Sequence, residues 1–73
     1  MKVTYDRSAD AAYIYLTSLG AGDVTKTYPC DPIEVGGEIY LDFDSSGRLV
    51  GIEVMDAHGL LPKDILDNAE ILD

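Results

Sequence analysis

The 73-residue chain carries 14 acidic and five basic side chains, a formal charge of -9, and 47% hydrophobic residues. That hydrophobic share supports a folded core and is too high for a disordered tail. The charge repels phosphate backbones and anionic lipid, so nucleic-acid and membrane roles are disfavoured.

No apolar run approaches the roughly 18–20 residues that span a bilayer. The N-terminus lacks the basic-then-apolar pattern of a signal peptide. A cytoplasmic protein is expected, where an unpaired thiol is normal. The length suits one domain over residues 1–73, and so short a chain buries only about 60% of its unfolded surface. A single Cys (Cys30) and a single His (His58) exclude an internal disulfide and a Cys/His zinc site. Burial against a partner subunit is the remaining source of stability, so a homo-oligomer is expected and no cofactor. The charge is uneven: residues 1–36 hold five acids and three bases, residues 37–73 nine acids and two bases. Such a surface suits a basic protein partner or a divalent cation; it also simply keeps a small protein soluble.

Residues 1–6 read as a first strand, with Val3 and Tyr5 alternating against Lys2, Thr4 and Asp6. Asp6-Arg7-Ser8-Ala9-Asp10 is a turn, since Asp and Ser bond nearby backbone N–H groups. Residues 11–17 form the second strand, placing Ala12, Ile14 and Leu16 on one face and Tyr13 and Tyr15 on the other. Gly20 and Gly22 mark a loop. Residues 24–35 read as one strand or two, confined to an edge or bulge by Pro29 and Pro32, which lack a donor. Gly36-Gly37 turns the chain into a strand over 38–43, with Ile39, Leu41 and Phe43 on one face. A last strand covers 48–55.

For that final hairpin, a four-residue loop over 44–47 puts Leu41 opposite Val50, Ile39 opposite Ile52 and Phe43 opposite Arg48. A three-residue loop would set Glu53 beside Ile39, so the apolar match selects the longer loop. This register also places Tyr40 over Gly51, covering the gap a strand glycine leaves. Beyond Met55, Leu60, Leu61, Ile65, Leu66, Ala69 and Leu72 recur at three- and four-residue spacings, predicting a helix near 62–70 with Pro62 in its first turn. The expected fold is α+β: a single small antiparallel β-meander of four or five strands, packed on one face by a short C-terminal helix.

Tyr5-Asp6, then Asp10-Ala11-Ala12-Tyr13-Ile14, then Leu41-Asp42-Phe43-Asp44 with Gly47, then Leu49-Val50-Gly51-Ile52-Glu53-Val54 together resemble the small prokaryotic proteins grouped as domain of unknown function 2283. The likeness runs over nearly the whole chain. Ala12 departs from it, standing where a larger aliphatic residue is expected, and the Pro29 to Pro32 stretch is peculiar to this chain. The resemblance supports the fold and implies no activity and no catalytic residue.

Asp42-Phe43-Asp44-Ser45-Ser46-Gly47 followed by Glu53 matches a relaxed calcium-loop spacing, making Asp42 and Asp44 candidate metal ligands. The strand-like flanks oppose that reading: in a hairpin Glu53 lies roughly 20 Å along a strand from the loop tip at ~3.3 Å per residue. Asp6, Asp10, Asp42, Asp44 and Glu53 are the carboxylates available for acid–base catalysis, which also requires a cleft that shifts one pKa. Carboxylates at turns ordinarily satisfy backbone N–H groups. His58 and Cys30 lie far apart in sequence with no third orienting group, so a solvent-facing or capping His and an ordinary Cys are expected. No catalytic residue is assigned.

Tyr13, Tyr15, Tyr40 and Met55 project from the second sheet face, where an amphipathic ring favours an interface; a half-apolar outer face facing water is the alternative. The expected function is a non-enzymatic binding or assembly module. It would act as a homodimer or accessory subunit through the tyrosine-bearing face or an edge strand. The alternative is a calcium-like divalent-cation or small-ligand site at the 42–47 turn.

Overall fold

Strand β1 (Lys2–Asp6) turns back into β2 (Ala11–Tyr15) with Val3 opposite Ile14 and Tyr5 opposite Ala12 in the computed structural model, which describes residues 1–72. The turn is held by the Asp6 carboxylate, which accepts from the Ser8 N–H at 3.0 Å, the Ser8 hydroxyl at 2.7 Å and the Ala9 N–H at 3.3 Å. After residues 16–25 the chain enters β3 (Lys26–Pro29), then a helical turn α1 (Pro32–Val35), then β4 (Ile39–Phe43) and β5 (Leu49–Met55).

The chain is α+β, but the sheet is not a simple meander. Its order is β3-β4-β5-β2-β1. β2 pairs with β5 rather than with β3, with Ala12 opposite Val54 and Ile14 opposite Ile52. Residues 16–25 therefore carry the chain across to the far edge. β5 is uniformly apolar on its inward side and takes the centre, whereas β3 ends in a proline and lies at an edge, where its missing donor costs no ladder bond.

The strand expected over 24–35 is cut short. Residues 32–35 are helical because Asp31 caps them, its carboxylate accepting from the Ile33 N–H at 2.9 Å, with Pro32 in the first turn and Gly36 at φ 79° as the left-handed stop. Asp-Pro-x-Glu is a helix-start signature that outweighs the β-branched residues at 33 and 35.

The β4–β5 register also differs from expectation. Leu41 lies opposite Ile52, Ile39 opposite Val54, Asp42 opposite Gly51 and Phe43 opposite Leu49. Backbone bonds from Asp44 N–H to Arg48 O (2.9 Å) and Gly47 N–H to Asp44 O (3.0 Å) close the shorter three-residue loop, with Gly47 at φ 79°. A register shift at Asp42/Phe43 then leaves Val50 without an opposite residue and returns Ile52 and Val54 to the inner face. The apolar alternation survives, but a bulge delivers it rather than a longer loop.

The C-terminal segment is not one helix. It comprises α2 (Ala57–Leu60), α3 (Lys63–Asp67) and a sixth strand β6 (Glu70–Ile71), which pairs in parallel with β1. Pro62 makes the break: Leu61 before it is extended at φ -106°, ψ 148°, as the pre-proline position demands. The six-stranded sheet is thus antiparallel except at β1–β6.

Ala12, Val54 and Ala57 form the buried core, with Tyr5, Ile39, Ile52, Leu60, Leu61 and Leu66 against them. Ala12 is 1% exposed, and its small side chain makes room for Ala57 at the start of α2. No helix among the described residues is long and apolar enough to cross a membrane.

Candidate functional site

Side chains directly opposite in an antiparallel ladder share a face. The registers therefore place Tyr13, Glu53 and Tyr40 in one row of the outer face, and Tyr15, Gly51, Asp42 and Thr27 in the next. Met55, opposite Ala11, stands on the same face. The four sequence-predicted interface residues are thus on one side of the sheet, each half-buried.

Their hydroxyls are not idle. Tyr13 crosses over Gly51 and donates to Asp42 Oδ2 at 2.6 Å, while Thr27 donates to Asp42 Oδ1 at 2.6 Å. One carboxylate thereby ties β2 and β3 to β4 across the top of β5. Glycine at 51 is what permits this, and the ring covering it belongs to Tyr13, not Tyr40. Burial, and then the Asp42 bond, push the Tyr13 phenol above the ordinary tyrosine range. Tyr40 donates to Glu38 Oε1 at 2.7 Å, which raises its phenol too. Tyr15 meets Tyr13 edge-on at 4.7 Å, and the Lys2 ammonium lies 5.2 Å from the Tyr15 ring centroid.

Asp44, the second candidate metal ligand, faces its own turn. Its Oδ1 accepts from the Ser46 N–H at 2.9 Å and the Arg48 N–H at 3.0 Å, which lowers its carboxyl below 3.8 with the Arg48 bond leading. Asp42 and Asp44 hold separate hydrogen-bond sets, and no group of three His, Cys, Asp or Glu side chains able to hold a metal occurs among the described residues. Cys30 is half-buried at the end of β3, its N–H bonded to Ile39 O at 2.8 Å.

A second polar cluster escaped the sequence reading. Asp10, at φ 51°, accepts the Tyr5 hydroxyl at 2.6 Å and the His58 N–H at 3.1 Å on Oδ1, and pairs with the His58 ring Nδ1 through Oδ2. Its backbone oxygen accepts from the Ala57 N–H at 3.0 Å. Asp10 thus caps α2 from 47 residues away, replacing Asp56, whose side chain makes no capping bond. The expected capping role at His58 belongs to Asp10. A signal was present: Asp tolerates the left-handed conformation, and an uncapped Ala57-His58 helix start needs an acceptor from elsewhere.

An imidazole whose Nδ1 faces a carboxylate presents Nε2 outward, as a general base does. The His58 side chain is 77% exposed, and neither of two open grooves among the described residues is lined by it. One, of about 610 Å³, runs along Lys2, Tyr15 and Leu16. The other, of about 270 Å³, lies between residues 17–23 and the Asp44 turn. The Asp10 cluster has the geometry of a latch between the first turn and α2.

That latch has a pH signature. The Tyr5 bond, followed by His58, holds the Asp10 carboxyl below 3.8, and Ser8 does the same for Asp6. A carboxyl lowered in the fold contributes stability that is fully present above its unfolded value, near pH 4, and lost as pH falls through the folded value. Asp10→Asn is expected to lower Tm at neutral pH, with the gap to wild type closing below about pH 4. Relief of the overall negative charge acts on both proteins alike, so differential melts from pH 7 to 2.5 isolate Asp10; a gap that widens in acid contradicts the assignment.

Residues 2–58 match the family described as protein of unknown function (DUF2283), and the chain belongs to that family. No curated protein and no solved structure matches it. The match takes in both polar clusters and stops within α2, leaving α3 and β6 outside it.

Proposed function

We propose that this member of the family is a non-enzymatic assembly module, a homodimer or accessory subunit that offers its tyrosine-bearing face to a basic partner. The Lys2 ammonium over Tyr15 is the observation that supports this most. The ammonium sits over the ring and lies 3.8 Å from the Glu70 carboxylate, with Asp42 and Glu53 farther along the same face. An aromatic ring with carboxylates around it suits a lysine or arginine side chain, through the ring quadrupole and through charge. Tyr13 and Tyr40 have their hydroxyls anchored, so the rings are held in place before a partner arrives. Met55 extends the apolar part of the same surface.

Fluorescence anisotropy with a labelled lysine-rich peptide tests the reading. Binding is expected at 20 mM salt and should weaken at least tenfold at 300 mM, because exposed charges are screened within about 8–10 Å at physiological salt. Tyr15→Ser and Glu53→Gln should each reduce affinity, whereas Lys63→Gln on the helix side should leave it unchanged. Equal binding by wild type and both outer-face variants would overturn the assignment.

A further inference from the structure

The cation seated on the outer face belongs to the chain itself. Lys2 and Tyr15 are register partners, so their side chains share that face, and Glu70 joins them through its pairing with Thr4. The Lys2 Nζ lies 5.2 Å from the Tyr15 ring centroid and 3.8 Å from Glu70 Oε1. Lys2 is the one cation among the described residues of the two cross-strand rows that carry Tyr13 and Tyr15. The ring and carboxylate that suit a partner's basic side chain are therefore occupied before any partner arrives.

We propose that Lys2 is an internal competitor for the partner's lysine or arginine, so that the outer face is partly self-blocked until Lys2 is displaced. The inference rests on the basic-partner reading above and names the contact that limits it. Competition follows from the chemistry. One ammonium already uses the ring face and the nearby carboxylate, and a second cation brought to the same place meets like-charge repulsion. Either Lys2 or the partner's cation holds the position, not both.

Displacement needs no backbone movement. Lys2 is fixed in β1 by its main chain, but its side chain is 57% exposed and that of Glu70 is 59% exposed. An ion pair so open to water is weak, and the ammonium regains hydration as it leaves. The open groove of about 610 Å³ is lined by both Lys2 and Tyr15, which leaves space for an incoming side chain beside the ring. When Lys2 swings out, it uncovers the Tyr15 ring and the Glu70 carboxylate together, and both attract a cation.

Anisotropy with the labelled lysine-rich peptide at 150 mM NaCl, comparing Lys2→Gln with Lys63→Gln, is the test. Both substitutions remove one positive charge, so they change the net charge equally and differ only in position. Lys2→Gln is expected to bind about two- to fivefold tighter than wild type, the equivalent of one exposed cation–ring contact. Lys63→Gln should match wild type, and so should Lys2→Arg, which keeps a cation on the ring. In a Tyr15→Ser background the gain from Lys2→Gln should fall below about twofold, because the ring competed for is gone. If wild type binds but Lys2→Gln binds no tighter than Lys63→Gln, the competition is overturned and the basic-partner reading stands. No binding by either wild type or Lys2→Gln overturns the basic-partner reading, and the competition with it.

Discussion

Gly51→Ala is expected to destabilise the protein by roughly 1–3 kcal/mol, the range for forcing extra atoms into a packed position. An added Cβ would stand 2.0 Å from the Tyr13 hydroxyl oxygen and 2.6 Å from its ring Cζ. Real atoms do not approach so closely, so the ring must swing away. It then gives up the bond to Asp42 and the edge contact with Tyr15. Thr27 keeps its bond to Asp42, but the link across β5 is cut. For a domain of this size, about 1 kcal/mol moves Tm by roughly 4–8 °C, so the change is easily read. A double-mutant cycle isolates the mechanism: in a Tyr13→Ala background the ring is gone, and Gly51→Ala should cost only a few tenths of a kcal/mol. Equal costs in the two backgrounds would show that something other than the Tyr13 crossing makes glycine necessary, since strand propensity by itself favours alanine.

Val54→Ala addresses the other face. Val54 is 2% exposed, between Ala12 and Ile39 in the register and against Ala57. Two of those neighbours are alanines with no side chain to extend into the space left behind, so most of the cavity should persist. Lost transfer energy and cavity together amount to roughly 1.5–3 kcal/mol. Total stability for 73 residues is on the order of 4–11 kcal/mol, so this one methyl pair carries a large fraction. Urea titration should show a lower midpoint with an unchanged slope, while Leu49→Ala, at a position 39% exposed, should stay within about 0.5 kcal/mol of wild type. If the two substitutions cost the same, Val54 is not at the centre of the core.

Much of this is legible from local pattern. Alternation places Ala12 and Ile14 opposite to Tyr13 and Tyr15, and the structure keeps that division. Pro29 lies on an edge strand, as a residue without a donor should. The two-residue period on either side of the 44–47 turn correctly indicates strands there. Errors arise where a local rule had two solutions. Three-residue loop plus bulge and four-residue loop without one give the same inward face, so hydrophobic matching alone does not separate them. The helical spacing beyond Met55 is real, yet Pro62 divides it into two short helices.

The outer cluster was half visible. Tyr13, Tyr15 and Tyr40 follow from alternation, but the Tyr13–Asp42–Thr27 link joins side chains 15 and 29 residues apart. It exists only once β5 lies between β2 and β4.

The sequence by itself determined the α+β class, which side chains face together within each strand, and the separation of an aliphatic side from a phenolic one. These depend on the two-residue period of a strand and on turn chemistry, which act over a few neighbours. Only the tertiary structure decided that β5 lies at the centre, that Asp10 caps a helix 47 residues away, and that Tyr13 reaches over Gly51 to Asp42. Those outcomes depend on which strands pair, and the energy that selects them comes from contacts between residues distant in the chain.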